Sequence, residues 1–369
     1  MAAQDNGRAW RGAGIARLLY ARDNLFIALL GFVPAAIGAA WLGGPPVAVF
    51  FLSALAIVPL ARFIGEATEE LATRTTPAVG GLLNATFGNA AELIIGVFAL
   101  KAGLIEVVKA SITGSIIGNL LLVLGFAMFV GGWSHDKQTF NKTGILAQSS
   151  TLFLATIALI VPAIFFQTAE ASGPAAVEGL SILVSLVLIA MYGASLLFSL
   201  HTHRHLYLEQ AGKFEPRWST ARAVAILMIA TFAVAWVSDI LVDSITPLAA
   251  SLGWSQLFIG AIFVAIAGNA AEHFSAVIVA RKDRMDLALQ ISIGSATQIV
   301  LVAAPVLVLL AIPLGQPMNL IFDTFELVAM VLAVVIVNFV VQDGESNWLE
   351  GLQLLAAYAI MAIAFYLHP

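Results

Sequence analysis

The chain has 369 residues, 60% of them hydrophobic and 11% charged, with a net charge of −5 at pH 7 and a mean hydropathy of +0.97. A soluble domain is nearer half apolar and about a quarter charged, so the composition excludes an ordinary soluble class and indicates a polytopic membrane protein. The absence of cysteine excludes disulfides, thiolate metal sites and cysteine nucleophiles.

In chain order, apolar windows long enough to span a bilayer fall at about 24–42, 47–64, 79–100, 106–130, 145–167, 177–200, 221–243, 256–280, 287–311, 319–341 and 348–367, about eleven helices in all. Arg8, Arg11, Arg17 and Arg22 precede the first window, and no short apolar region with a small-residue cleavage pattern follows. The N-terminus is therefore read as leading into a full span rather than a cleaved signal. Breaks between windows are short, as at Gly43-Gly44-Pro45-Pro46 and Asp343-Gly344-Glu345-Ser346, and the sizeable loop is at about 201–220. With the N-terminus in the cytoplasm and sides alternating, only Lys101 and Lys109 of the 17 basic residues fall outside. That agreement with the positive-inside rule would be spoiled by a miscounted helix, and it places Pro369 outside. It also favours a plasma (inner) membrane protein with export toward the outside.

The sequence Gly-Asn-Ala-Ala-Glu occurs twice, at 88–92 and at 268–272. Ser111-Ile-Thr-Gly114-Ser115-Ile-Ile-Gly118-Asn119 follows the first copy, and Ser292-Ile-Gly294-Ser295-Ala-Thr-Gln298 follows the second. Each glutamate stands 22 residues before the glycine of its Gly-Ser pair. The first motif is on span three and the second on span eight, which run in opposite directions. The reading is an all-α membrane protein with one N-terminal helix and two inverted five-helix repeats. Residues 1–45 hold the cytoplasmic N-terminus and first helix, 46–200 the first repeat, 201–220 a cytoplasmic connector and 221–369 the second repeat. Inverted repeats place a substrate site near the bilayer midplane at their interface and support alternating access.

These paired motifs resemble the calcium/proton exchangers of the cation/calcium exchanger superfamily, over nearly the whole chain. Leu200-His-Thr-His-Arg-His-Leu-Tyr207 is similar to the end of that family's sixth helix. Some members carry an acidic run between the halves, whereas here that segment has only Glu209 and Glu215. The resemblance implies an antiporter with calcium and protons as its transported partners, no cofactor, and Ser115 and Ser295 lining the cation path. Homo-oligomers occur in the family.

The residues carry the same reading physically. A carboxylate at mid-membrane costs on the order of 2.5–3.5 kcal/mol on insertion scales, so Glu92 and Glu272 need a neutraliser. No Lys or Arg lies in the predicted core near either, which leaves protons and cations. Asn89, Asn269, Ser115 and Ser295 add neutral oxygens, while Gly88 and Gly268 permit irregular helix geometry that frees carbonyls. Asn119 follows Ser115 by one turn; in the second half the matching slot is Ile299 and the amide is Gln298, which predicts broken symmetry at that layer. Two carboxylates among neutral oxygens suit a hard cation, calcium best, and the scarcity of core histidine argues against zinc or copper. An empty pair carries two negative charges; one calcium or two protons cancel them, and ligands that exclude one another give exchange.

The other candidates have plainer readings. Small residues also serve close helix packing, serine bonds its preceding turn, and Asn119 and Gln298 could join helices without touching an ion. Glu66, Glu69 and Glu70 are expected in a solvated cytoplasmic segment beside Arg62 and Arg74. Asp239, Asp243, Asp323 and Glu326 are expected near the outer face, where together they would form an acidic funnel. His201, His203 and His205 alternate in the connector, a spacing that suits a surface segment. A sodium-coupled or broader sodium/potassium/calcium exchanger is the competing transport reading, and a channel would use the same groups without countertransport. A membrane enzyme is disfavoured by the lack of GxSxG and HExxH motifs, and nucleic acid is not an expected partner.

Overall fold

A computed structural model describes residues 26–168, 173–203 and 216–368. The expectations for Arg8, Arg11, Arg17, Arg22, His205, Glu209, Glu215 and Pro369 lie outside the described residues. The chain builds helices α1 (Phe32–Trp41), α2 (Pro46–Ala72), α3 (Pro77–Gly88) and α4 (Ala90–Lys101). α5 (Ile105–Ser134) follows, then strand β1 (Gln138–Thr139), α6 (Lys142–Thr168) and α7 (Gly173–Leu197). The second part comprises α8 (Thr220–Leu252), α9 (Gln256–Arg281), α10 (Met285–Ala311), α11 (Thr324–Val340), strand β2 (Glu345–Ser346) and α12 (Trp348–Leu367).

Among the described residues, eight helices are long and apolar enough to cross a membrane. The α3–α4 pair passes the same test together across a 49° bend, and two apolar helices, Phe26–Trp41 and α11, are shorter. Helix starts are written locally. Ser219 Oγ accepts the Arg222 amide at the head of α8, and Thr76 Oγ1 accepts that of Val79 at the head of α3. Asp323 with Glu326, and Asn347 with Glu350, form reciprocal capping boxes that open α11 and α12. Gly253, at φ 68°, closes α8 in a left-handed conformation that a side chain would disfavour.

α5 and α10 form the centre: 83% of the apolar window of α5 is buried and 67% of that of α10, against 17% for α7. The exposed large apolar residues include Leu183 and Val187 on α7, Phe232 on α8 and Ile360 on α12. Such faces are stable against hydrocarbon, where exposure of apolar side chains carries no penalty. Packing crosses between the two parts of the chain: α2 lies along α8, α6 along α10, α11 along α5 and α12 along the second half of α5.

Loops that the alternating count puts on one face do meet. β1 pairs antiparallel with β2, Gln138 opposite Ser346, and Gln138 Nε2 also donates to Asp283 Oδ1 at 2.9 Å. At the opposite ends, Lys109 Nζ donates to Asn319 Oδ1 at 3.1 Å, and His368 lies 3.9 Å from Asp323. One expectation fails here. Glu70 is not solvated but 3% exposed, because its carboxylate accepts the Arg217 and Trp218 amides at 2.8 to 3.2 Å. Arg74 reaches the same segment through the Trp218 carbonyl, so the end of the connector is clamped to the end of α2.

Candidate functional site

The two identical five-residue motifs fold differently. In the first, α3 ends at Gly88 and α4 begins at Ala90, with Asn89 between them at φ −103° and ψ 25°. Glu92 therefore falls in the first turn of α4. In the second, Gly268 to Glu272 lie within the continuous helical part of α9, and the irregularity sits just upstream as a π-helical segment, Ile259–Val264. π segments also follow both Gly-Ser pairs, at Gly118–Val123 in α5 and Ile299–Ala303 in α10. A π turn inserts a residue and re-aims the side chains beside it, a feature concentrated at functional sites. Asn119 lies within the first of these segments and Gln298 immediately precedes the second.

Glycine sets how closely the helices approach. A Cβ on Gly114 would run into the Ala261 carbonyl of α9, and one on Gly260 would lie 2.8 Å from the Val107 oxygen of α5. α5 and α9 thus cross backbone against backbone, the small-residue mode of membrane helices. A Cβ on Gly268 would lie 3.0 Å from Glu92 Cγ and 3.3 Å from its Cδ. The bare face of Gly268 is where the Glu92 side chain from α4 rests. Glu272 is one turn farther along α9 from Gly268.

A polar web joins the four motif-bearing segments. Asn89 Nδ2 donates to Gln298 Oε1 at 2.7 Å, and Asn119 Nδ2 donates to Asn269 Oδ1 at 3.0 Å and to Ser295 Oγ at 2.9 Å. Asn269 Nδ2 donates to Ser115 Oγ at 2.8 Å. The matching amide contacts, Asn89 with Gln298 and Asn119 with Asn269, survive the one-residue offset at Ile299 because glutamine is a methylene longer. Symmetry breaks in the added reach of Asn119 to Ser295. Gly88 borders the same centre, its Cβ position lying 3.6 Å from Asn84 Oδ1 and 3.9 Å from Gln298 Oε1. All ten residues singled out by sequence thus lie on the four segments this web connects.

What the web leaves unsatisfied is one-sided. Glu92 Oε2, Glu272 Oε2, Asn89 Oδ1 and Asn119 Oδ1 are sealed from solvent with no hydrogen-bond partner among the described residues. All four are acceptors. No Lys, Arg or His approaches either glutamate within salt-bridge distance among the described residues. Among the described residues there is also no cluster of three or more His, Asp or Glu, so the oxygen set here is two carboxylates with amides and hydroxyls. Buried acceptors without donors are costly, and a bound cation or protons would relieve them.

Two further neighbours, Gln148 and Thr113, carry no expectation from the repeated motifs, and a third, Glu326, stands elsewhere than expected. Gln148 of α6 lies behind Gly294, its Nε2 2.8 Å from where a Cβ would stand. Thr113 of α5 donates to Glu326 Oε1 of α11 at 3.0 Å. Glu326 was expected in an outer acidic funnel; it is instead 1% exposed, drawn inward by Thr113 and by the capping box with Asp323. The only sequence signal for these residues is a polar group within an apolar window.

The sodium/calcium exchanger protein family matches residues 45–201 and 222–367. The chain belongs to this family. Among curated exchangers, a Ca(2+)/H(+) antiporter of Synechocystis sp. is 47% identical over 366 residues, covering 94% of this chain and 98% of that protein. The Ca(2+)/H(+) antiporter ChaA of Bacillus subtilis is 45% identical, covering 93% and 98%. Of the solved exchangers, native YfkE superposes with a TM-score of 0.82 at 43% identity, covering 93% of this chain and 99% of that one. An H+/Ca2+ exchanger CAX shares the fold at a TM-score of 0.70 and 15% identity, covering 93% and 92%. The two stretches matched by the family leave out residues 202–221.

Proposed function

We propose that the protein is a secondary antiporter that exchanges calcium for protons by alternating access, with Glu92 and Glu272 as the shared binding pair. The observation that carries this reading is the set of four sealed acceptor oxygens, two of them carboxylate, with no donor and no basic side chain to meet them among the described residues. Asn269, Ser115, Ser295 and Gln298 complete the oxygen-rich lining, and Gly268 admits Glu92 to it. Calcium accepts about 6–8 oxygen ligands in flexible geometry, which suits carboxylates mixed with amides and hydroxyls. Proteins of 45% and 47% identity that carry the name Ca(2+)/H(+) antiporter support the same cargo.

Exchange follows from charge. The empty pair bears about two negative charges inside a low-dielectric bundle, an unfavourable state to carry through a closing conformation. One divalent cation removes that charge, and so do two protons. The two loaded forms exclude one another, so passage in one direction with calcium requires return with protons. On this reading the bent pair α3–α4 and the two shorter apolar helices also cross the bilayer. That gives eleven spans: one leading helix and two inverted five-helix repeats, 46–200 and 221–369, joined by a cytoplasmic connector. The membrane is then the plasma membrane, with Pro369 outside.

The test is calcium uptake by purified protein in sodium-free proteoliposomes under an imposed pH gradient. Uptake should follow the gradient, and raising proton concentration on the calcium side should weaken apparent calcium affinity. Glu92→Gln and Glu272→Gln should each abolish uptake while the variants elute and melt like the parent. A requirement for sodium would replace protons by sodium as the counter-ion, and full uptake by both glutamine variants would overturn the site.

A further inference from the structure

Three consecutive residues of α5 meet three different structures. Ser115 accepts from Asn269 at the centre, Gly114 presses on the Ala261 backbone, and Thr113 donates to Glu326 of α11. Residues two apart on a helix point about 200° apart, so Thr113 faces nearly opposite to Ser115. Glu326 therefore touches α5 from behind the exchange site.

The contact is built to be rigid. Thr113 is fully buried, and both oxygens of Glu326 are engaged: Oε1 by Thr113 at 3.0 Å, Oε2 by the Asp323 amide at 2.9 Å. The second bond anchors the carboxylate to the start of its own helix, so the side chain is not free to follow α5 if that helix shifts. The charged groups facing it are Lys109 and Glu106 of α5 and Asp323 of α11. Lys109 is itself held by Asn319 at 3.1 Å, with Glu106 at 3.9 Å. In the corresponding place of the second part of the chain the neighbour is a neutral amide, Gln148 of α6, its Nε2 2.8 Å from where a Cβ on Gly294 would stand.

We infer that Glu326 is a positioning residue of the exchange site: through Thr113 it fixes the turn of α5 that presents Ser115 and Asn119, and so sets calcium affinity without touching the ion. This rests on the proposed exchange reading. A brace that positions ligands should alter KM while leaving the maximal rate nearly unchanged, and it should depend on the hydroxyl rather than on the volume of residue 113.

The experiment measures proton-driven calcium uptake in proteoliposomes, with calcium binding by the detergent-purified protein as a second readout. Thr113→Val, which keeps the shape and removes the donor, should raise the calcium KM about fivefold, the loss expected for one buried hydrogen bond. Its maximal rate should stay within about twofold. Thr113→Ser should restore the parental KM. Glu326→Leu should match Thr113→Val, and the double variant should be no weaker than either single one, because both remove the same bond. Glu326→Gln, which retains an acceptor for Thr113, should fall near the parent. The inference is overturned if Thr113→Val and Thr113→Ser share the parental KM, or if the two single effects multiply. Should Glu326→Leu fail to accumulate in the membrane, the valine and serine comparison decides alone. Failure of the exchange reading looks different: the parent itself would show no proton-driven uptake, or Glu92→Gln would remain active.

Discussion

Gly88 and Gly268 occupy the same letter of the repeated motif, yet a methyl group would act on them differently. At Gly268 the added carbon meets the Glu92 side chain at 3.0 Å, closer than ordinary contact, and the flexible carboxylate rather than the backbone would yield. Gly268→Ala should displace Glu92 and weaken apparent calcium affinity about tenfold, within the range for inserting a methyl into a filled space. At Gly88 the nearest atom, Asn84 Oδ1, is 3.6 Å away, so Gly88→Ala should stay within about twofold. Calcium titrations of the two variants side by side check both. The principal site residues were legible because each appears twice at equal spacing, and an acid in hydrocarbon demands an explanation. Thr113, Gln148 and Glu326 were not, since single polar residues in apolar windows reveal their partners only when distant helices are assembled. Glu70 misled for a similar reason: a run of acids reads as solvated until a neighbouring segment supplies two amides to one of them.

At the scale of helices, the sequence windows located the apolar segments, because length and hydropathy decide bilayer crossing. Their irregularities were hidden. Identical letters break the α3–α4 pair and leave α9 continuous, so the break belongs to the surroundings and not to the motif. The π segments have no periodic signature at all. Close approach of α5 and α9 yields a sharp test. Gly114→Ala would drive a methyl into the Ala261 carbonyl, whereas the same change at Gly118 meets nothing within 4 Å. The first should destabilise by roughly 1–3 kcal/mol and lower the melting temperature in detergent by several degrees. The second should melt close to the parent. A similar loss in both would mean that glycine at 114 matters for helix flexibility and not for contact.

At the scale of the molecule, the distribution of basic residues predicted which loops share a face, and the pairing of β1 with β2 and of Lys109 with Asn319 agrees with that alternation. What charge counting could not foresee is which helix lies beside which. α6, from before the connector, packs on α10 from after it, and α11 in turn packs on α5. Each part of the chain thus contributes a wall to the other's site, and each asparagine of the motifs finds its partner across the divide. A gene cut within the connector would therefore yield two fragments that are each inert and prone to degradation, and that recover calcium transport when synthesised together in the same cells. Activity of either fragment alone would contradict this. Complementation would mean that the covalent link between the fragments is dispensable once their surfaces have found one another.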